Sequence, residues 1–147
     1  MKTTGVFYII LAIGMLFFIL GNTGCDINPG MSLPDYEDKT WVMMEPTQCL
    51  TNPWEQDWLK VNNESYENYP KNTYGGTELT LVEKQIIKDY YKKYYDVDVY
   101  EIKTIQTYHE VCAACSCPEG YTLHLLVDDN DIRSMENLGY RLSSEIP

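Results

Sequence analysis

Residues 80–127 read TLVEKQIIKDYYKKYYDVDVYEIKTIQTYHEVCAACSCPEGYTLHLLV, and they predict a helix, a strand, a cysteine-rich connection and a second strand. The helix should begin at Thr80, because residues 80–83 match a capping box in which the threonine hydroxyl and the Glu83 carboxylate accept from backbone amides. Apolar and aromatic side chains then recur every four residues, at Val82, Ile86, Tyr90 and Tyr94, with Ile87 and Tyr91 beside them. We expect this face to pack on the core and the charged face with Glu83 and Lys84 to contact solvent.

The two strands are indicated by β-branched and aromatic residues at alternating positions. Residues 97–108 form the first, and a shift of the alternation at Ile105 predicts a bulge near Lys103. Residues 121–127 form the second, with Leu123, Leu125 and Val127 on one face. His124 alternates with them and is expected on the solvent-facing side. A short last helix should follow Asp129 and end at Gly139.

The part before Thr80 is less regular. Residues 41–44 form a short apolar run that predicts a first strand, closed by Pro46. Residues 47–76 show no sustained period and are expected to form a long ordered loop anchored by Trp54 and Trp58. The predicted order is therefore β-α-β-β-α. This order implies an α+β fold in residues 41–147, with a small sheet of about three strands and helices on one face.

The composition restricts the classes of partner. The chain has 147 residues, with 22 acidic against 11 basic side chains, and a net charge of −11 at neutral pH. A field of this sign repels phosphate backbones, so we expect no nucleic acid partner. No combination of serine, histidine, cysteine and carboxylate forms a recognisable catalytic constellation, so the sequence favours a protein that is not an enzyme.

The first residues have the order of a secretory signal. Lys2 is followed by an apolar run from Val6 to Gly21 and then by residues 22–24 before Cys25. The run spans about 24 Å as a helix, slightly less than the hydrocarbon core of a bilayer. Cleavage is therefore favoured over retention of an uncleaved membrane anchor. Secretion without lipid is a further alternative.

This segment resembles a prokaryotic lipoprotein signal peptide, in which a small residue precedes a cysteine that receives a diacylglyceryl group. Gly24 and Cys25 match that pattern. The resemblance covers residues 1–25 and implies removal of residues 1–24, lipidation of Cys25 and membrane anchoring outside the cytoplasm. Residues 25–40 would then be the lipidated N-terminus and a flexible tether.

Four cysteines remain after Cys25, and three of them lie in the connection between the two predicted strands. Because an even number of cysteines in a small exported domain indicates disulfides, we expect two bridges. The expected pairing is Cys49–Cys117 with Cys112–Cys115, and the alternative is Cys49–Cys115 with Cys112–Cys117. Joining Cys49 to Cys112 would force Cys115 and Cys117 into a strained ring.

A metal site is the rival hypothesis for the same cysteines. Cys-x-x-Cys-x-Cys supplies three thiolates on one loop, and a fourth ligand completes a tetrahedral site for zinc or monovalent copper. The candidate ligands are Cys49, Cys112, Cys115, Cys117 and His109, with His124 as a substitute. A redox pair at residues 112–115 is a third possibility, although no helix follows it to lower a thiol pKa.

Taken together, the sequence predicts a membrane-anchored, extracytoplasmic lipoprotein with a disulfide-stapled α+β domain. Such a protein would bind or support another component of the cell envelope, and it would need no cofactor. The alternative function is a thiolate metal-binding protein that holds zinc or copper.

Overall fold

A computed structural model describes residues 36–72 and 77–144. The predicted signal peptide, the Cys25 lipidation site and residues 26–35 of the predicted tether lie outside these ranges. The elements are β1 (Lys39–Met44), α1 (Pro53–Asn62), α2 (Leu81–Tyr95), β2 (Glu101–Gln106), β3 (Tyr121–Asp128), α3 (Ile132–Asn137) and β4 (Arg141–Leu142). Within the described part of the chain, no helix is long and apolar enough to cross a membrane.

The four strands form one antiparallel sheet in the order β2-β3-β1-β4. The α+β class is therefore confirmed, but the sheet has four strands rather than about three, and the element order is β-α-α-β-β-α-β. The fourth strand has only two residues, too few for a period to be recognised in the sequence. β1 also begins at Lys39, within the segment predicted as a tether, and the Tyr36 hydroxyl before it donates to Glu101 at 2.9 Å.

β3 lies in the middle of the sheet and is buried on both faces from Tyr121 to Val127. Its Leu123, Leu125 and Val127 side chains face the helices, and β1 and β2 add Val42 and Ile102 to the same core. Each helix contributes buried side chains to this cluster: Trp54 from α1, Ile87 and Tyr91 from α2, and Met135 from α3. The core is thus formed between one face of the sheet and the helices.

α2 begins at its predicted cap. The Thr80 hydroxyl accepts from the Glu83 backbone amide at 3.1 Å, and the Glu83 carboxylate accepts from the Thr80 amide at 2.9 Å. The predicted apolar face is confirmed at Ile87 and Tyr91, but Val82 and Glu83 differ from the prediction. Glu83, Ile87 and Tyr91 are the buried residues, whereas Val82 is 55% exposed. Glu83, predicted on the solvent-facing side, is instead buried, and its carboxylate is part of the helix cap.

The prediction of a loop over residues 47–76 is wrong for the ten residues Pro53–Asn62, which form α1. The bulge predicted near Lys103 is also absent, since β2 and β3 keep one continuous register from Glu101↔Leu126 to Gln106↔Tyr121. The shift in alternation arises because Ile105 lies on the opposite face of β2 and is 40% exposed.

The prediction that His124 faces solvent is wrong as well. His124 is only 4% exposed, and its Nδ1 atom lies 3.2 Å from the Ser143 hydroxyl. The His124 side chain does lie on the face of the sheet opposite the helices, but β3 is a central strand. Its directly opposite neighbours, Met43 of β1 and Lys103 of β2, lie on the same face of the sheet and flank it.

Candidate functional site

The connection between β2 and β3, residues 107–120, is held by two disulfides, and we call it the stapled loop. Cys49 is bonded to Cys115 across 66 residues, and Cys112 is bonded to Cys117 across 5 residues. The Cα atoms are 5.1 and 5.8 Å apart, within the usual range for a disulfide. The expected pairing of Cys49 with Cys117 and Cys112 with Cys115 is therefore wrong, and the alternative pairing is present.

Backbone geometry explains this pairing. The Gln48 amide donates to the Cys117 carbonyl at 2.9 Å, so Cys117 lies opposite Gln48. Cys49 then adopts a left-handed conformation with φ 62°, which redirects the chain immediately after this contact. Its sulfur meets Cys115 instead, while Cys117 is buried and bonds to Cys112.

Gln48 ties the stapled loop to the segment before α1 in a second way. Its side-chain amide donates to the carbonyl oxygens of Cys112 and Pro118, both at 3.0 Å. The Glu119 amide donates to the Pro46 carbonyl at 2.8 Å. The loop is therefore attached by backbone and side-chain hydrogen bonds as well as by the Cys49–Cys115 bridge.

The outer part of the loop is open to solvent. Every residue from 105 to 116 is exposed, and the large side chains of Tyr108 and Val111 are each 41% exposed. His109 is exposed too, with its Nδ1 atom 3.1 Å from the Gln106 side-chain nitrogen. A loop that is fixed at its base and exposed at its tip is a common form for a binding surface.

The structure does not bring the predicted metal ligands together as thiolates. The four sulfurs are paired as disulfides, and a disulfide sulfur lacks the negative charge of a metal-binding thiolate. Across residues 36–72 and 77–144, no group of three or more histidine, cysteine or acidic side chains is arranged to hold a metal ion. The metal hypothesis consequently concerns a reduced form of the protein.

A cluster of polar side chains, buried except for the partly exposed Lys71, lies where the stapled loop meets the N-termini of α1 and α2, and we call it the acidic junction. Three carboxylates, one ammonium and two phenols form it: Glu55, Glu83, Glu119, Lys71, Tyr69 and Tyr121. Burial of three carboxylates near one ammonium is costly unless each is hydrogen-bonded, paired or protonated.

Glu55 stands at the third position of α1 and is only 3% exposed. Its Oε2 atom accepts from the Asn52 backbone amide at 3.0 Å and from the Asn52 side-chain amide at 2.8 Å. Burial nevertheless raises the pKa of Glu55 from 4.5 to about 7, against the lowering effect of these two hydrogen bonds. The charge of Glu119 raises this pKa further, and Lys71 lowers it.

Glu119 enters the junction from the last turn of the stapled loop. Its Oε1 atom is paired with the Lys71 ammonium, and its side chain is 6% exposed. Its Oε2 atom is buried and has no hydrogen-bond partner among the described residues. Burial raises the pKa values of Tyr69 and Tyr121 well above 10, and the nearby carboxylates raise them further, so both phenols stay neutral.

The sequence did not predict the acidic junction, since its members are spread over residues 55–121. One local signal was present: Asn52, Pro53 and Glu55 are the residue types preferred at the cap, first and third positions of a helix. That pattern would have located α1 and assigned Glu55 to a cap. No local pattern places Lys71 or Glu119 beside it.

Comparison of the chain with protein-family models, curated proteins and solved structures finds no match. The features of the chain that point to a function are therefore the stapled loop, the acidic junction and the export-like segment.

Proposed function

We propose that this protein is an extracytoplasmic lipoprotein, anchored to a membrane through Cys25, whose α+β domain binds or supports another envelope component. The observation that carries the proposal is the pair of disulfides, Cys49–Cys115 and Cys112–Cys117. Disulfides persist in oxidising compartments outside the cytoplasm. They agree with the resemblance of residues 1–25 to a lipoprotein signal.

The stapled loop is the contact surface that we assign to this role. It exposes Tyr108 and Val111 on a base that two disulfides and Gln48 hold in place. Ordering of this loop before binding reduces the conformational entropy that a partner has to overcome. A tyrosine at the tip supplies apolar contact area together with a hydrogen-bonding hydroxyl.

The alternative role in metal binding is separated from this one by the state of the cysteines. We expect no alkylation of Cys49, Cys112, Cys115 or Cys117 before reduction of the purified protein, alkylation of all four after it, and no stoichiometric zinc or copper. Four thiols that react only after chelation, together with bound zinc or copper, would establish the metal role instead.

The anchor is tested by replacing Cys25 with serine in the full chain. We expect the wild-type protein in the membrane fraction with a lipid-modified Cys25 as its first residue, and Cys25→Ser as an unprocessed or released form. Cys112→Ser/Cys117→Ser is the control, because it removes cysteines without removing the predicted lipid acceptor and leaves no unpaired cysteine from that bridge. Recovery of wild-type protein that retains residues 1–24 would refute the lipoprotein assignment.

A further inference from the structure

β2 lies at an edge of the sheet, where it pairs with β3 on one side. The Thr107 amide donates to the Gly120 carbonyl at 2.9 Å, in line with the register of the two strands. Hydrogen-bonded pairs alternate along antiparallel strands, so the odd-numbered residues of β2 bond to β3. The even-numbered residues direct their backbone N–H and C=O groups away from it. They are Ile102, Thr104 and Gln106.

These three residues leave a row of unpaired backbone groups on the outer edge of β2. Within residues 36–72 and 77–144, their outward N–H and C=O groups have no backbone partner. β2 has six residues, whereas β4 at the opposite edge has two. Unpaired groups along an edge of this length are a template for another extended chain, which can add to the sheet by backbone hydrogen bonds.

A cleft of about 280 Å³ runs beside this edge. Four consecutive residues of β2 line it: Ile102, Lys103, Thr104 and Ile105. Ile102 belongs to the core under the helices, and side chains alternate along a strand, so Lys103 and Ile105 lie on the opposite face. A cleft that both faces of the strand line lies along its edge. The other wall includes Glu78 and Lys84, and the space between is open to an added strand.

Lysines surround this cleft, although the chain as a whole has a net charge of −11. Lys84 lies in the cleft wall, and no carboxylate of the described residues forms an ion pair with it. Lys88, one turn further along α2, donates to the carbonyl of the residue before β2 at 3.0 Å. Lys103 lies 3.6 Å from Glu101. Two ammonium groups beside the edge are therefore available to carboxylates of a bound chain.

We propose that the outer edge of β2 binds an extended, acidic segment of a partner protein, which adds to the sheet as a fifth strand. The outward backbone groups of β2 bind the main chain of the segment, and Lys84 and Lys88 pair with its carboxylates. Two copies of this acidic chain repel each other, and lysines beside an edge strand oppose self-pairing. The site involves neither Cys25 nor the stapled loop, so it goes beyond the binding role of that loop.

The direct test uses a synthetic peptide of about eight residues with blocked ends, in which valine and glutamate alternate. The matched control peptide has lysine in place of each glutamate. We expect the glutamate peptide to bind the oxidised protein about tenfold or more tightly than the lysine peptide, measured by fluorescence anisotropy. Its binding should slow hydrogen exchange of the Thr104 and Gln106 amides and leave the exchange of β4 unchanged.

Two variants with matched controls locate the site. Thr104→Pro removes an outward amide, which an edge strand tolerates, and Thr104→Val keeps it. We expect the first to weaken binding of the glutamate peptide about tenfold and the second to leave it unchanged. Lys84→Glu leaves the strand intact and should weaken the same binding. Lys60→Glu makes the same change of charge at an exposed position of α1 and should have little effect.

Three results would overturn the proposal. The first is no binding of the glutamate peptide at about 1 mM, or equal binding of the two peptides. The second is unchanged binding in Lys84→Glu together with unchanged binding in a folded Thr104→Pro. The third is protection of the Thr104 and Gln106 amides that increases with protein concentration in the absence of peptide. That result would identify a second copy of this chain as the occupant of the edge.

Discussion

At the scale of single residues, the most unusual backbone lies at Cys49 and Leu50. Both adopt left-handed conformations, with φ values of 62° and 51°, which are costly for side chains with a Cβ atom. The surroundings compensate this cost: Cys49 is held in its disulfide, and Leu50 is 1% exposed. The Leu50 carbonyl also accepts from the Gln56 side chain. The turn therefore depends on contacts that form only in the folded protein.

The Thr80 cap gives a prediction for one side chain. Its hydroxyl accepts from the Glu83 amide and donates to the Pro70 carbonyl, each at 3.1 Å. We expect Thr80→Ala to lower the free energy of unfolding by about 1 kcal/mol, since it removes both bonds. Chemical denaturation measures this loss, and Leu81→Ala, at an 85% exposed neighbour, serves as the control. Equal stability of Thr80→Ala and the wild type would argue against the cap.

At the scale of elements, α1 is a helix in a segment that the sequence predicted to be a loop. Its ten residues include Pro53 and only a few apolar positions, so no long apolar period is visible. The apolar residues Trp54, Trp58 and Val61 do follow helical spacing, but a helix this short is marginal on its own. Packing of Trp54 and Glu55 against the rest of the domain stabilises it.

The role of Trp54 can be measured against another residue of the same helix. Trp54 is 3% exposed and belongs to the core, and its ring lies 6.3 Å from that of Tyr91. We expect Trp54→Ala to cost about 3–5 kcal/mol, the usual range for truncation of a buried aromatic side chain. Val61→Ala, at a 62% exposed position, should change stability by no more than about 0.5 kcal/mol. Similar losses in the two variants would contradict the burial of Trp54.

At the scale of the whole molecule, the two disulfides should differ in their contribution. The Cys49–Cys115 bridge closes 66 residues, whereas Cys112–Cys117 closes 5. In the chain-entropy model these loops correspond to about 4 and about 2 kcal/mol. We therefore expect a larger loss of stability in Cys49→Ser/Cys115→Ser than in Cys112→Ser/Cys117→Ser, measured by chemical denaturation.

Peptide mapping of the oxidised protein provides the independent check of this pairing. A peptide that links Cys49 to Cys115 is expected, and a link from Cys49 to Cys117 would contradict the structure. The two double variants leave no unpaired cysteine from the bridge that they remove, so disulfide exchange does not complicate the comparison.

The sequence by itself determined the α+β class, the start of α2 at Thr80 and the core face of β3. It also predicted disulfides for the four cysteines after Cys25. These features depend on neighbours along the chain: a cap is made within four residues, and the faces of a strand alternate residue by residue. Such signals can be recognised in a single sequence, because they do not depend on distant contacts.

Only the tertiary structure decided which cysteines pair, that Glu83 of α2 is buried and where the charged groups meet. Cys49 reaches Cys115 because Gln48 occupies the position opposite Cys117. Glu55 and Glu119 are 64 residues apart in the sequence, yet they share one buried environment. Burial and electrostatic interaction depend on distance in space, so no local pattern encodes them.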